Sequence, residues 1–253
     1  IEALRRKGIQ RLDYILLTHI HLDHAGGARE LADAFPDARI FCHHSGVKHI
    51  IDPGKLWQGS LQVLGDVARM YGEPEPVPAE RMATQAELRQ RGVEVIATPG
   101  HAVHHVSYLC DDILFIGEAF GTRVPLASGK RYLRPATPPR FFCDAALAAL
   151  DDLLALKPQP ATVAFAHYGS STGMYEWCAL ARQQLVLWVD TVRQLANQGE
   201  DDLESRLFER LMEIDPLYGQ GRFHALPQDI QRRERSFLGN TVEGMLGYVK
   251  SQT

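Results

Sequence analysis

Apolar runs alternate with breaks marked by glycine and proline through the first two thirds of the chain, and each run has the length of one element. Residues 14–18 are apolar up to Thr18, which fits a short strand covered on both faces. Ala28, Leu31, Ala32 and Phe35 recur at helical spacing until Pro36 interrupts them. Residues 39–42 begin a second strand-like run, whereas 51–78 mix glycine, proline and apolar positions and are expected to be irregular or partly helical. Residues 93–97 read as a strand broken at Pro99-Gly100. Residues 106–109 and 113–116, separated by Asp111-Asp112, read as a hairpin. A helix over 145–156 is stopped by Pro158 and Pro160, and 162–166 form a further apolar strand. After Gly173 the pattern changes. Residues 174–198, 203–214 and 229–250 are helix-like, with no strand signal between them. The expected organisation is therefore an α/β domain over 1–172 and a helical C-terminal subdomain over 173–253.

The strands end in chemistry. His19 follows the first, His101 follows Pro99-Gly100, Glu118 follows the hairpin, and His167 follows the strand at 162–166. His19 and His21, two apart in an extended segment, project to the same side, and Asp23 and His24 come from the turn behind them. Imidazole and carboxylate are the ligand types that zinc and similar divalent metals favour. A single histidine is ordinarily a solvated or hydrogen-bonded side chain. Four ligand-type residues between His19 and His24, joined by three more at strand ends, instead indicate a metal centre.

The run Thr18-His19-Ile20-His21-Leu22-Asp23-His24-Ala25-Gly26-Gly27 resembles the T-H-x-H-x-D-H-x-G-G signature of the metallo-β-lactamase superfamily. Thr98-Pro99-Gly100-His101, Phe115-Ile116-Gly117-Glu118 and Ala166-His167 resemble its later ligand motifs, so the likeness covers roughly residues 10 to 170. It implies an αβ/βα sandwich and a metal-dependent hydrolase. His19, His21 and His101 would hold one metal, and Asp23, His24 and His167 a second. The metals are expected to be two divalent ions, zinc first, with iron or manganese as alternatives. A water lowered in pKa by the metals would be the nucleophile, cleaving an ester-like bond such as a lactone or thioester. The leaving group would take its proton from Asp23 or from water at the metals. Glu118 stands where the family usually has aspartate, and its extra methylene either carries the carboxylate to both metals or limits it to one. Family members also carry several strands ahead of the first histidine motif. Residues 1–12 offer none, so those N-terminal strands are expected to be missing. Two rival readings are a single-iron persulfide dioxygenase of the same superfamily and a non-catalytic metal-binding or nucleic-acid-binding module.

The other histidines divide. His43, His44, His49 and His224 show no partner motif and read as structural or surface residues, whereas His105 stands where the family often has a histidine that orients a ligand. Tyr168, beside His167, is a candidate donor to a developing oxyanion. Composition changes the picture only at the margins. The net charge of −4 gives no global attraction to nucleic acid. No apolar run approaches a membrane span, and the start has no leader character, so a cytoplasmic protein acting on a small molecule is expected. Cys42, Cys110, Cys143 and Cys178 are scattered and read as buried thiols. Arg123, Lys130, Arg131, Arg134 and Arg140 lie in a segment with no acid after Glu118. That segment is expected to be a proline-stiffened loop at the mouth of the site, either a solvated basic loop with no substrate role or one in which Arg131 and Arg134 hold an anionic substrate. Trp177, Leu180, Leu185, Leu187, Trp188, Val189 and Val192 give the first C-terminal helix enough apolar surface to cover the site, to form a homodimer contact or simply to pack against the core.

Overall fold

The computed structural model describes residues 1–252 and divides into two compact units, Ile1–Ile96 and the chain from Ala97 onward. The division expected at 172/173 separates kinds of element; compactness separates the chain at 96/97.

The first unit is built around a β-α-β turn of chain. Strand β1 (Tyr14–Leu16) is followed by helices α2 (Leu22–Ala25) and α3 (Ala28–Ala34), which return the chain to β2 (Arg39–Phe41). The two strands are parallel, with Ile15 opposite Ile40. Their side chains meet Ile20, Ala25, Ala28, Ala32 and Phe35 in one apolar cluster, so the periodic face of α3 is what closes the unit. The short helix α1 (Glu2–Arg6) precedes β1.

Residues 51–78 hold more helix than the sequence suggested. Helix α4 (His44–Ile51) is capped by His43, whose Nδ1 accepts from the Ser45 amide, and α5 (Gly54–Leu64) and α6 (Asp66–Tyr71) follow. None of the α5 residues is fully buried, which explains why no clear apolar stripe marks it. A reciprocal cap starts α7 (Gln85–Gln90): Thr84 accepts from the Glu87 amide, and the Glu87 carboxylate accepts from the Thr84 amide. Strand β3 (Val93–Ala97) then carries the chain to the second unit.

In the second unit, β4 (Val106–Cys110), β5 (Ile113–Gly117), β8 (Thr162–Phe165) and β9 (Ser170–Thr172) lie side by side in that order. The β4–β5 pair is the expected hairpin, with Tyr108 opposite Phe115, whereas β5 and β8 run parallel. Parallel pairing makes β5 and β8 end at the same edge, and Glu118 and His167 follow those two ends. The β5–β8 register shifts between Phe115 and Gly117, a bulge immediately ahead of Glu118. Gly117 has φ +58, a left-handed conformation that suits glycine and re-aims the residue after it.

The basic segment is not a loop. Strands β6 (Thr122–Pro125) and β7 (Arg131–Arg134) form an antiparallel hairpin with Arg123 opposite Leu133. Its last residue corrects the reading of the segment as substrate-facing. Arg134 is buried, and its Nε donates to Glu234 Oε2 at 2.7 Å. Arg131 is also engaged, pairing with Glu176 and lying over the Trp177 ring.

Helices α8 (Cys143–Leu154), α9 (Met174–Ala196), α10 (Leu203–Ile214) and α11 (Gln228–Ser251) complete the unit, with α9 packed on the other three. Trp177, Leu185, Trp188, Val189 and Val192 are buried there, so most of the apolar surface of α9 is used within its own fold. Asp215 anchors the join: its carboxylate accepts from Gln184 Nε2 (2.8 Å), Trp188 Nε1 (2.5 Å) and the Leu217 and Tyr218 amides. The four cysteines are free, and Cys42, Cys143 and Cys178 are buried, which pushes the Cys42 and Cys178 thiols up to about 12. No helix among the described residues is long and apolar enough to cross a membrane.

Candidate metal centre

In the first unit the end of β1 delivers its histidines in a tight group. The His19 ring lies 4.6 Å from that of His21 and 4.2 Å from that of His24, centroid to centroid. His21 is the N-cap of α2, which sets Asp23 and His24 on its first turn. The Asp23 carboxylate comes within 3.3 Å of His24 Nε2. His19 is buried, and its Nδ1 faces the Thr18 hydroxyl at 3.1 Å, so Nε2 is the atom left to act as a ligand. The small residue Gly46 keeps this loop in place from behind, because a Cβ there would come 2.9 Å from Ile20 Cγ2.

In the second unit His101, Glu118 and His167 converge on one carboxylate. Glu118 Oε2 is 2.8 Å from His101 Nε2, and Oε1 is 3.6 Å from His167 Nε2. Each oxygen therefore faces a different imidazole, so the longer glutamate side chain reaches both. His101 Nδ1 lies 2.9 Å from the Ala136 carbonyl, which can only accept; Nδ1 must carry the proton. A neutral His101 then turns the lone pair of Nε2 on a carboxylate oxygen, and two acceptors so close repel unless a proton or a cation stands between them. A divalent metal satisfies that arrangement, and the donor set is the one such metals prefer.

His105 holds this carboxylate by its backbone. The Glu118 amide donates to His105 Nε2 (3.1 Å), so the imidazole proton sits on Nδ1 and points to Thr98 Oγ1 (2.8 Å). Thr98 in turn reaches Ser107 Oγ (2.9 Å), which donates to the Ile116 carbonyl (3.2 Å). Every link has a donor and an acceptor, and His105, Thr98 and Ser107 are all buried. The ligand-orienting role expected for His105 thus takes the form of a rigid support for Glu118. Thr98 opens the Thr98-Pro99-Gly100-His101 run, but nothing in the sequence marks it or Ser107 as part of the support. The His105→Ala protein is expected to bind metal about 10- to 100-fold more weakly while keeping all seven candidate ligands. Competition with a chromogenic chelator measures this, and unchanged affinity would remove the role.

His101 also depends on its neighbour. Gly100 has φ +148, and a Cβ there would stand 2.5 Å from Ala146 Cβ and 2.9 Å from its Cα. Only glycine lets helix α8 approach the turn that presents His101. A cavity of ≈ 30 Å³ beside His101 and Glu118, lined also by Thr98, Thr137 and Phe120, has room for about two waters. Tyr168, the residue after His167, has φ +63 and is half-exposed. Its carbonyl accepts from Arg123 Nη1 (3.0 Å), and the Arg233 guanidinium lies 5.3 Å from its ring centroid. Arg233 comes from α11, and the sequence held no sign that it belongs near His167.

Comparisons with known proteins agree with the motif reading. Residues 1–167 match the profile of the Metallo-beta-lactamase superfamily. A metallo-beta-lactamase fold-containing protein of Sulfurisphaera tokodaii is 32% identical over 170 residues, covering 64% of this chain and 62% of its own length. A hydroxyacylglutathione hydrolase of Albidiferax ferrireducens is 29% identical over 227 residues, covering 86% of this chain and 72% of that protein. Among solved structures, an archaeal metallo-beta-lactamase superfamily protein from Sulfolobus tokodaii superposes with a TM-score of 0.63 at 24% identity, over 95% of this chain and 82% of that one. The chain thus spans between about three fifths and three quarters of these curated relatives.

Proposed function

We propose, from the fact that this chain belongs to the metallo-beta-lactamase superfamily, that it is a metal-dependent hydrolase of ester-like bonds, with a thioester as the first candidate substrate. The observation that carries the reading is the Glu118 carboxylate, one oxygen on His101 and the other towards His167. His19, His21 and His101 would hold one divalent ion, Asp23, His24 and His167 a second, and Glu118 would touch both. Zinc suits this nitrogen-rich set best, with iron and manganese as alternatives. When bound, such a pair supplies Lewis acidity, activating water near neutral pH and polarising the scissile carbonyl.

The chain's own residues do the rest. Thr18 and the Ala136 carbonyl fix the ring nitrogens of His19 and His101. His105 locks the Glu118 backbone. Asp23 is exposed and stands beside His24, a position from which it can hand a proton to the departing thiolate. No serine or cysteine nucleophile is needed, and the buried, high-pKa thiols are unsuited to that task. The preference for a thioester rests on the likeness to hydroxyacylglutathione hydrolases.

Metal analysis of protein purified without chelator, combined with a panel of thioesters, lactones and phosphodiesters, tests the reading. About two equivalents of divalent metal are expected. Thioester turnover should be lost on chelation and restored by metal. One equivalent of iron with oxygen consumption on a persulfide would replace hydrolysis by oxidation, and failure across the panel would leave only metal binding.

A further inference from the structure

Helix α11 reaches the metal centre through a loop. Residues 135–142 run from β7 to α8 with no helix or strand of their own, and they touch the site at two points. The Ala136 carbonyl accepts from His101 Nδ1 (2.9 Å), and the Phe142 amide donates to the carbonyl of Gly100, the residue before that ligand (3.1 Å). Pro135, Pro138 and Pro139 stiffen the loop, since each locks one φ. Its position is set largely by α11. Glu234 accepts from Arg134 Nε (2.7 Å), and Arg134 Nη1 donates to the Pro135 carbonyl (2.9 Å). Further along the helix, Gly244 is buried against the middle of the loop: a Cβ there would stand 2.1 Å from the Pro138 carbonyl oxygen and 3.2 Å from Phe141 Cβ. Gly121 is as close to the loop's start, where a Cβ would come 2.2 Å from the Arg134 carbonyl oxygen. Pro135, Ala136, Thr137 and Phe141 share the ≈ 30 Å³ cavity with His101 and Glu118, which gives a displaced loop room to move against these ligands.

We infer, on the metal reading of the site, that Gly244 and Glu234 are positioning residues for His101: α11 fixes the loop, and the loop fixes both the ring and the backbone of the ligand. A side chain at 244 meets a backbone carbonyl, so no change of rotamer relieves the contact and the loop or the helix must give way by about 1 Å or more. Carried along the prolines, a shift of that size is enough to break the hydrogen bond between Ala136 and His101. The effect is selective. Glu118 is held instead by His105, so a disturbance at Gly244 falls on the ion that His101 would hold and spares the one assigned to Asp23, His24 and His167.

The test reads the loop and the metal separately, in the whole chain. In metal-free protein, hydrogen exchange of the Phe142 amide, followed by NMR, is expected to quicken about tenfold in Gly244→Ala relative to the Leu114 and Val163 amides of β5 and β8. In competition with a chromogenic chelator, one zinc equivalent should bind about tenfold more weakly and the other within about twofold of the unmodified protein. The visible spectrum of the cobalt(II)-loaded variant should change as well. Pro138→Ala leaves Gly244 its room and only softens the loop, so it should weaken the same equivalent by about threefold. The double variant should then lose less than the product of the two single losses. In folded Gly244→Ala, unchanged zinc affinity, equal weakening of both equivalents, or Phe142 exchange that moves no more than that of Leu114 and Val163 overturns the positioning role. Should Gly244→Ala not fold, Pro138→Ala decides, and unchanged zinc affinity in it overturns the path. Should the unmodified protein bind no zinc, the metal reading fails separately, and Phe142 exchange alone decides whether α11 sets the loop.

Discussion

Glu118→Ala is expected to fold normally, to lose about one of two metal equivalents, and to lose about 10³-fold in activity. The size follows from its position. Its carboxylate faces both His101 and His167, at 2.8 and 3.6 Å, so its removal takes an acid from beside each imidazole. A metal's charge stabilisation is worth several kcal/mol, and each ~1.4 kcal/mol is a factor of ten. The side chain is mostly buried, but His105 holds only the Glu118 amide, so the support survives the substitution. Glu118→Asp is the discriminating companion. It restores the carboxylate one methylene shorter and should recover metal binding at one position more than at both. Metal content after gel filtration and turnover of a thioester measure the two effects. Full occupancy in Glu118→Ala would show that the carboxylate does not serve both positions.

Arg134→Met is expected to destabilise the protein by about 3–5 kcal/mol, the usual cost of leaving one partner of a buried ion pair alone. Glu234 is fully buried and takes Arg134 Nε at 2.7 Å and Tyr132 OH at 2.9 Å on one oxygen. Burial alone would raise its pKa, yet Arg134 and these hydrogen bonds outweigh burial and hold it below the ordinary value. The linkage has a definite sign. A carboxyl depressed in the folded state contributes stability that is fully present above the unfolded glutamate pKa, and that stability is lost as pH falls through the folded one. Denaturant unfolding at neutral pH and near pH 3 reads both effects. In Arg134→Met the acid-dependent loss should shrink, and for a charge-pair origin the double change to Arg134→Met with Glu234→Leu should recover part of the stability. No gain from the second substitution would assign the loss to packing.

Local pattern announced the site better than it announced the scaffold. The His19 to His24 run, His101, Glu118 and His167 are legible because each follows a strand whose apolar run has a clear end. Strand β3, the β4–β5 hairpin, α8 and α9–α11 were legible for the same reason. Helices α5 and α6 were not: Gly54, Gly59, Gly65 and Gly72 break the periodicity, and α5 buries no residue fully, so no stripe could form. The β6–β7 hairpin was hidden by Pro125 and by Arg134, a buried charge at the end of β7 that makes sense only with Glu234, a hundred positions later. Arg233 was illegible on the same ground, since a surface arginine on a helix carries no mark of the tyrosine it will cover. Sequence separation, more than residue type, set what could be read.

The close approach of Gly100 to α8 makes two distant positions heritable as a pair. A side chain at 100 would collide with the Cβ of Ala146, and any larger residue at 146 would press on the Gly100 backbone from the other side. Descendants of this protein that keep His101 in use are thus confined to a small residue at 146, although that position touches no proposed metal. Among relatives, positions 100 and 146 should vary together or not at all, and a search for new activities by mutating α8 should leave Ala146 out of the library.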